Sequence, residues 1–182
     1  GAAFEPFVAT AAAERAKLVL AGKPVQTGRQ IGPAEVERIA RRCGLTGPFD
    51  ATEDLFRGCA ATTPFELATA VATLGNDGRR PNPFLISSIE DRSHRPRFKD
   101  APSHSQAISA DTAREVREMF LQAGPSRVFH GAGPSCRDGW ILRLGPTGST
   151  AIWFGFDQPA QIAERETLDQ FLKQLATRLG EL

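Results

Sequence analysis

The sequence predicts an α+β domain, an antiparallel sheet with packed helices, and three observations carry that prediction. Two apolar runs, GWILRL and TAIWFGF, flank the turn GPTGS and read as an antiparallel hairpin buried on both faces, with residues 139–144 pairing with 150–156. Leu168, Phe171, Leu172, Leu175 and Leu179 recur at helical spacing, so a helix over 167–179 lays one apolar face on that sheet. Thr63, Pro64 and Glu66 spell a capping box with proline at the first helical position, ahead of the helical repeat Leu67, Ala70, Val71, Leu74.

The other elements follow in chain order. Phe4, Phe7, Val8, Ala11, Ala12 and Leu18 predict a helix over 4–20, with Pro6 tolerated because it lies in the first turn. GKPVQTGRQIGP is punctuated by glycine and proline and reads as loop. A helix opens at Pro33, carries Val36, Ile39, Ala40 and Cys43 on one face, and stops at Gly44. TGPFDATEDLFRGCAA is irregular. The helix capped by Thr63 ends at Gly75, and the turn signal NDG follows. PNPFLISSIED reads as a strand, and the polar stretch from Asp91 to Ser105 as a hairpin tip or surface loop. A helix over 111–123 places Val116, Met119 and Phe120 inward, and GPSRVFHGAGPSC is loop-rich.

The totals exclude several classes of function. A net charge of +1, with basic and acidic residues interleaved as in EVERIARRC, leaves no footprint for nucleic acid. No apolar run has the length of a membrane span, and no secretory leader is visible. An upstream leader, anchor or further domain stays open. Cys43, Cys59 and Cys136 fit neither a disulfide framework nor a metal spacing and read as small core residues, with a Cys43–Cys59 bridge as the lesser alternative. No cofactor or metal motif occurs, and none is expected.

Three stretches, in order along the chain, resemble the transpeptidase domain of penicillin-binding proteins, especially the bifunctional type. ATTPFELATAVATLGNDGRRPNPFLISSIED at 61–91 is similar to the family's A-T-P-L-E-L-A-x-A-Y-A-T-L-A-N-G-G and the strand after it. RDGWILRLGPTGSTAIWFGFD at 137–157 resembles the paired strands R-D-A-W-F-V-G-Y-T-P and V-W-V-G-Y-D-D, with Asp138, Trp140, Pro146, Trp153, Gly155 and Asp157 on matching letters. GAAFEPF at the start is similar to G-S-T-F-K-P-F. The resemblance implies a reduced version of the fold shared by serine transpeptidases and β-lactamases, with residues 1–182 as one degenerate domain. That fold has its active site between a sheet edge and a helical lobe.

The family's chemistry uses three elements, and the resemblance places each on this chain. The S-x-x-K pair, nucleophile and base one helical turn apart, falls on Ala2 and Glu5. Alanine has no oxygen, and glutamate supplies no cation. No S-x-N occurs between residues 5 and 61, an interval short enough to imply that much of the helical lobe is deleted. The nearest polar loop is Thr27–Gln30. The K-T-G triplet, which binds the substrate carboxylate, falls on Phe129, His130 and Gly131, where only glycine matches. Asp138 and Asp157 read as residues at strand ends.

The resulting expectation is a pseudoenzyme: a non-catalytic domain that binds an envelope protein or a peptidoglycan fragment, outside the cytoplasm by analogy with the family. Two alternatives stand beside it. One is a serine acyl-transferase or hydrolase with a relocated nucleophile, Ser126 or Ser135, paired with His130. The other is a fragment completed by a second polypeptide.

Overall fold

The computed structural model describes residues 24–50, 52–57, 60–122, 128–133, 135–145 and 148–180. The helix expected over 4–20, with Ala2 and Glu5, lies outside these residues. So do Cys59, Ser126 and the side chains of Met119 and Phe120.

The architecture is α+β, with helices packed on a three-stranded antiparallel sheet. Helices α1 (Pro24–Ile31) and α2 (Pro33–Arg42) come first, followed by a 3-10 turn at Glu53–Arg57 and helix α3 (Pro64–Gly75). Short strands β1 (Arg79–Asn82), β2 (Ser88–Glu90), β3 (Pro96–Lys99) and β4 (Ser103–Gln106) form two nested antiparallel pairs, β1 with β4 outside and β2 with β3 inside. Helix α4 (Ala110–Gln122) leads to β5 (Val128–Ala132), β6 (Asp138–Leu144) and β7 (Ser149–Gly155), and α5 (Arg165–Gly180) closes the order.

The sheet β5-β6-β7 is sandwiched. On one face Ile141 and Cys136 meet Leu168 and Leu172 of α5, and all four are buried. Gly139 lets α5 come close: an added Cβ there would lie 3.2 Å from a Leu172 methyl. Arg165, in the first turn of α5, donates to the carbonyls of Ala132 and Gly133 at 3.1 and 2.7 Å, tying the helix to the end of β5. On the other face α3 packs on β6 and β7. Leu144 occupies the space a side chain on Gly75 would need, and the Ser149 hydroxyl donates to the Ala68 carbonyl at 2.7 Å. Arg117 of α4 holds the C-terminal end of α3, donating to the Leu74 and Gly75 carbonyls and pairing with Asp77 at 2.9 Å.

Helix α3 has the expected cap. The Thr63 hydroxyl accepts the Glu66 N–H at 3.2 Å, and the Glu66 carboxylate accepts the Thr63 N–H at 2.8 Å. The hairpin 138–155 and the last helix also stand where the sequence places them, with Cys136 in the core and Cys43 half-buried.

Several expectations are corrected. GKPVQTGRQIGP is helix over most of its length, not loop. The Phe56 ring fills the place of a side chain at Gly28, 2.1 Å from where a Cβ would be, so packing against the 3-10 turn outweighs glycine's low helix propensity. PNPFLISSIED is not one strand. Pro83 cannot donate to a ladder, so β1, which accommodates Pro81, stops at Asn82 and pairing resumes only at Ser88. The polar stretch after Asp91 does form a hairpin tip, at Asp91–Arg95, but the rest of it is strand, β3 and β4, rather than loop. The loop-rich GPSRVFHGAGPSC contains β5. The 138–155 hairpin is not buried on both faces, because β7 is only partly covered and Trp153 is 41% exposed. Phe171 is 48% exposed although Leu168 and Leu172 are buried. It lies at the margin of the stripe, with its ring edge-to-face on Phe154 at 5.5 Å.

Candidate functional site

A cleft of about 660 Å³ opens between the sheet and the helical segments before α3. Residues alternate across β6, so the face opposite Gly139 and Ile141 presents Asp138, Trp140 and Leu142 to the cleft. Trp153 stands directly opposite Trp140 in the ladder and lies on the same face. The far wall is Leu45, Phe49 and Leu55, and Leu67 of α3 adds to the lining.

Local packing orients these side chains. The Arg41 guanidinium lies 4.8 Å above the Phe49 ring centroid. Arg41 is itself held by Glu37 at 2.8 Å and by the Thr46 carbonyl at 2.7 Å. The Trp153 indole lies across Gly155, where an added Cβ would fall 2.1 Å from the ring. The Asp138 carboxylate lies over Gly133, 2.8 Å from where a Cβ would stand. Those two glycines make room for the tryptophan and the carboxylate.

Electrostatically the cleft is apolar with one charge. Asp138 is the sole ionisable side chain among its described lining residues. The Thr62 hydroxyl also lines it and donates to the Glu66 carboxylate at 3.2 Å. Cys43 is a half-buried free thiol whose pKa burial pushes up, the opposite of activation. Among the described residues no group of three or more His, Cys, Asp or Glu is placed to hold a metal.

Phe129, His130 and Gly131 lie on β5, the edge strand beside β6. Phe129 pairs with Leu142 and Gly131 with Trp140 along the backbone ladder, and the side chain of Phe129 lies outside the described residues. His130 pairs with Ile141 and is exposed on the α5 side, in a shallow depression with Glu166, Asp169 and Lys173. Ser135 is exposed in the turn before β6, and no hydrogen bond joins it to His130. Thr27 is buried in α1 rather than placed on a polar loop. Asp138 begins β6, and Asp157 follows the end of β7.

Sequence reasoning did not find the cleft-facing roles of Phe49, Asp138 and Trp153. For the pair Trp140 and Trp153 a signal existed: counted outward from the GPTGS turn, the two tryptophans fall opposite each other. For Phe49 no local pattern could have shown it, because its stretch is irregular.

With this geometry in view, known proteins give a consistent comparison. The family profile described as penicillin binding protein transpeptidase domain matches residues 52–142. Penicillin-binding protein 2D of Bacillus subtilis is 23% identical over 157 residues, which cover 76% of this chain and 23% of that protein. The chain therefore spans less than a quarter of that relative's length. Among solved structures, the penicillin-binding protein PonA1 from Mycobacterium tuberculosis superposes with a TM-score of 0.72 at 19% identity, covering 91% of this chain and 55% of that one. Penicillin-binding protein 1A from Haemophilus influenzae gives a TM-score of 0.70 at 18% identity, covering 86% and 32%.

Proposed function

The chain belongs to the penicillin binding protein transpeptidase domain family, and from that premise we propose that it is a non-catalytic member that binds peptidoglycan fragments through the cleft between Trp140, Trp153 and Phe49. The observation that carries this reading is the lining of that cleft. It is aromatic and aliphatic, with Asp138 as its sole described ionisable group.

Acyl transfer at a serine needs an activated oxygen, a base and a cation for the anionic substrate. The family's nucleophile and base positions read Ala2 and Glu5 here, and the basic triplet reads Phe129, His130 and Gly131. What the cleft does offer is two indoles and a phenyl ring, broad flat surfaces with little side-chain entropy to lose. The indole N–H groups can donate to sugar hydroxyls or peptide carbonyls. The Asp138 carboxylate can accept from hydroxyl, amide or ammonium groups of a muropeptide.

The site of action on this reading is the cell envelope, outside the cytoplasm, by analogy with the family. Among the described residues no helix is long and apolar enough to cross a membrane.

Titration with a soluble disaccharide-peptide, followed by tryptophan fluorescence, tests the binding role. Saturable quenching is expected, and it should be lost on Trp153→Ala with the melting temperature retained. Gly155→Ala should weaken binding as well, because its methyl group displaces the Trp153 indole. An unaltered spectrum across the titration would refute binding at this cleft.

A further inference from the structure

The nested ribbon between β1 and β4 carries an apolar surface that no described residue covers. Every residue from Asn82 to Gln106 is exposed except Asp91. Phe84, Leu85 and Ile86 stand in sequence at 38%, 100% and 53% exposure. Ile89 and Phe98 sit directly opposite each other in the β2–β3 ladder and are 48% and 45% exposed. A two-stranded ribbon of this kind has no core of its own and is marginal in water. Contiguous exposed apolar surface marks a place of interaction.

Between Asn82 and Gln106 four arginine and lysine residues stand against three acids, a modest basic excess. Each acid of the arm is engaged locally. Asp91 accepts the Ser93 and Arg95 N–H groups at 2.8 and 3.0 Å and pairs with Arg97. Glu90 lies 3.4 Å from the His94 ring nitrogen, and Asp100 accepts the Ala101 N–H at 2.8 Å. Arg92, Arg95 and Lys99 are exposed and make no ion pair with any described residue. Arg92 and Arg95 lie at the tip of the inner hairpin. Lys99 is at its other end, paired with Ser88 and close to the apolar triplet.

We propose that this arm docks on an anionic lipid surface. Leu85, Ile86, Ile89 and Phe98 enter the boundary between headgroups and acyl chains, while Arg92, Arg95 and Lys99 meet lipid phosphates. A fluid lipid phase suits a side chain as protruding as Leu85, because it needs no shaped pocket to receive it. Cations at both ends of the hairpin match a laterally continuous negative surface.

Co-sedimentation of the whole chain with vesicles tests this. Pelleting is expected with phosphatidylglycerol–phosphatidylethanolamine vesicles and not with phosphatidylcholine vesicles, and it should weaken as salt is raised. Reversing Arg92, Arg95 and Lys99 to Glu should lower the partition coefficient at least about a hundredfold, since each cation near an anionic surface is worth about fivefold. Leu85→Glu should lower it at least about tenfold. Leu85 is fully exposed, so this variant keeps its fold, which an unchanged melting curve verifies. Failure to pellet with the anionic vesicles, equal pelleting with both, or full binding by either variant would overturn the proposal. So would a dimer in sedimentation velocity that Leu85→Glu dissolves, because the surface would then belong to a second copy of the chain.

Discussion

Glu66 receives both polar hydrogens of Thr46: the backbone N–H at 2.9 Å and the hydroxyl in a shorter contact. The same carboxylate closes the capping box with Thr63 at the start of α3. One side chain thus fixes a helix terminus and straps to it the segment that brings Leu45 and Phe49 to the cleft. Those bonds, the Thr46 hydroxyl first and the Thr63 N–H next, lower the Glu66 pKa from 4.5 to about 2.

The sign of the resulting pH dependence is fixed. A carboxyl held below its unfolded value stabilises the fold above that value, and the gain is lost as pH falls towards the folded one. Thermal stability should decline between pH 4.5 and about 2. Glu66→Gln should flatten this part of the profile. Parallel profiles for the two proteins would show that the carboxylate is not so engaged.

Thr63→Ala removes the hydroxyl acceptor at the N-cap while leaving the Glu66 bonds to Thr46 in place. A loss of about 0.5–2 kcal/mol is expected in urea denaturation. An unchanged midpoint would mean that the cap adds nothing.

The last helix separates two neighbours in sequence. Leu172 is fully buried at 0% exposure against Ile141, and Leu172→Ala should cost about 2–5 kcal/mol. Phe171 is 48% exposed and keeps its edge contact with Phe154, so Phe171→Ala should cost less, about 0.5–1.5 kcal/mol. Equal losses at the two positions would refute the observed docking of α5.

The contrast shows which features were legible in the sequence. Periodicity located α5, and turn chemistry located the 138–155 hairpin, because both patterns are local. Periodicity could not tell Phe171 from Leu172, since a helical stripe marks a face but not its edge. Helix α1 was hidden because its helicity depends on Phe56 filling the space beside Gly28, a contact 28 residues away. The ribbon strands were hidden because both of their faces are exposed, so no alternation of apolar and polar residues is written into them. The cleft was only half legible. Trp140 and Trp153 could be paired by counting from the turn, whereas Phe49 reaches the cleft through the Glu66–Thr46 strap.

Gly78 tests the turn that launches the ribbon. Its φ is +76°, and an added Cβ would lie 2.2 Å from the Ile108 carbonyl oxygen. Gly78→Ala should destabilise by about 2 kcal/mol or more, because left-handed strain and a backbone clash act together. A wild-type melting temperature would show that this turn can relax.

Acylation by a β-lactam is the most direct test of the non-catalytic reading. The protein is incubated with a fluorescent penicillin and its intact mass is recorded. No adduct is expected. On the register that the resemblance of GAAFEPF implies, Ala2 offers a methyl group where the family has its nucleophile, and the described lining of the cleft holds no cation to retain the ligand. The double variant Ala2→Ser with Glu5→Lys should remain unmodified too, because residues that act as a unit fail as a unit and the S-x-N and basic triplet stay absent. A stoichiometric mass increase on the unaltered chain would contradict the account, and the modified peptide would show whether Ser126, Ser135 or another residue carries the reaction.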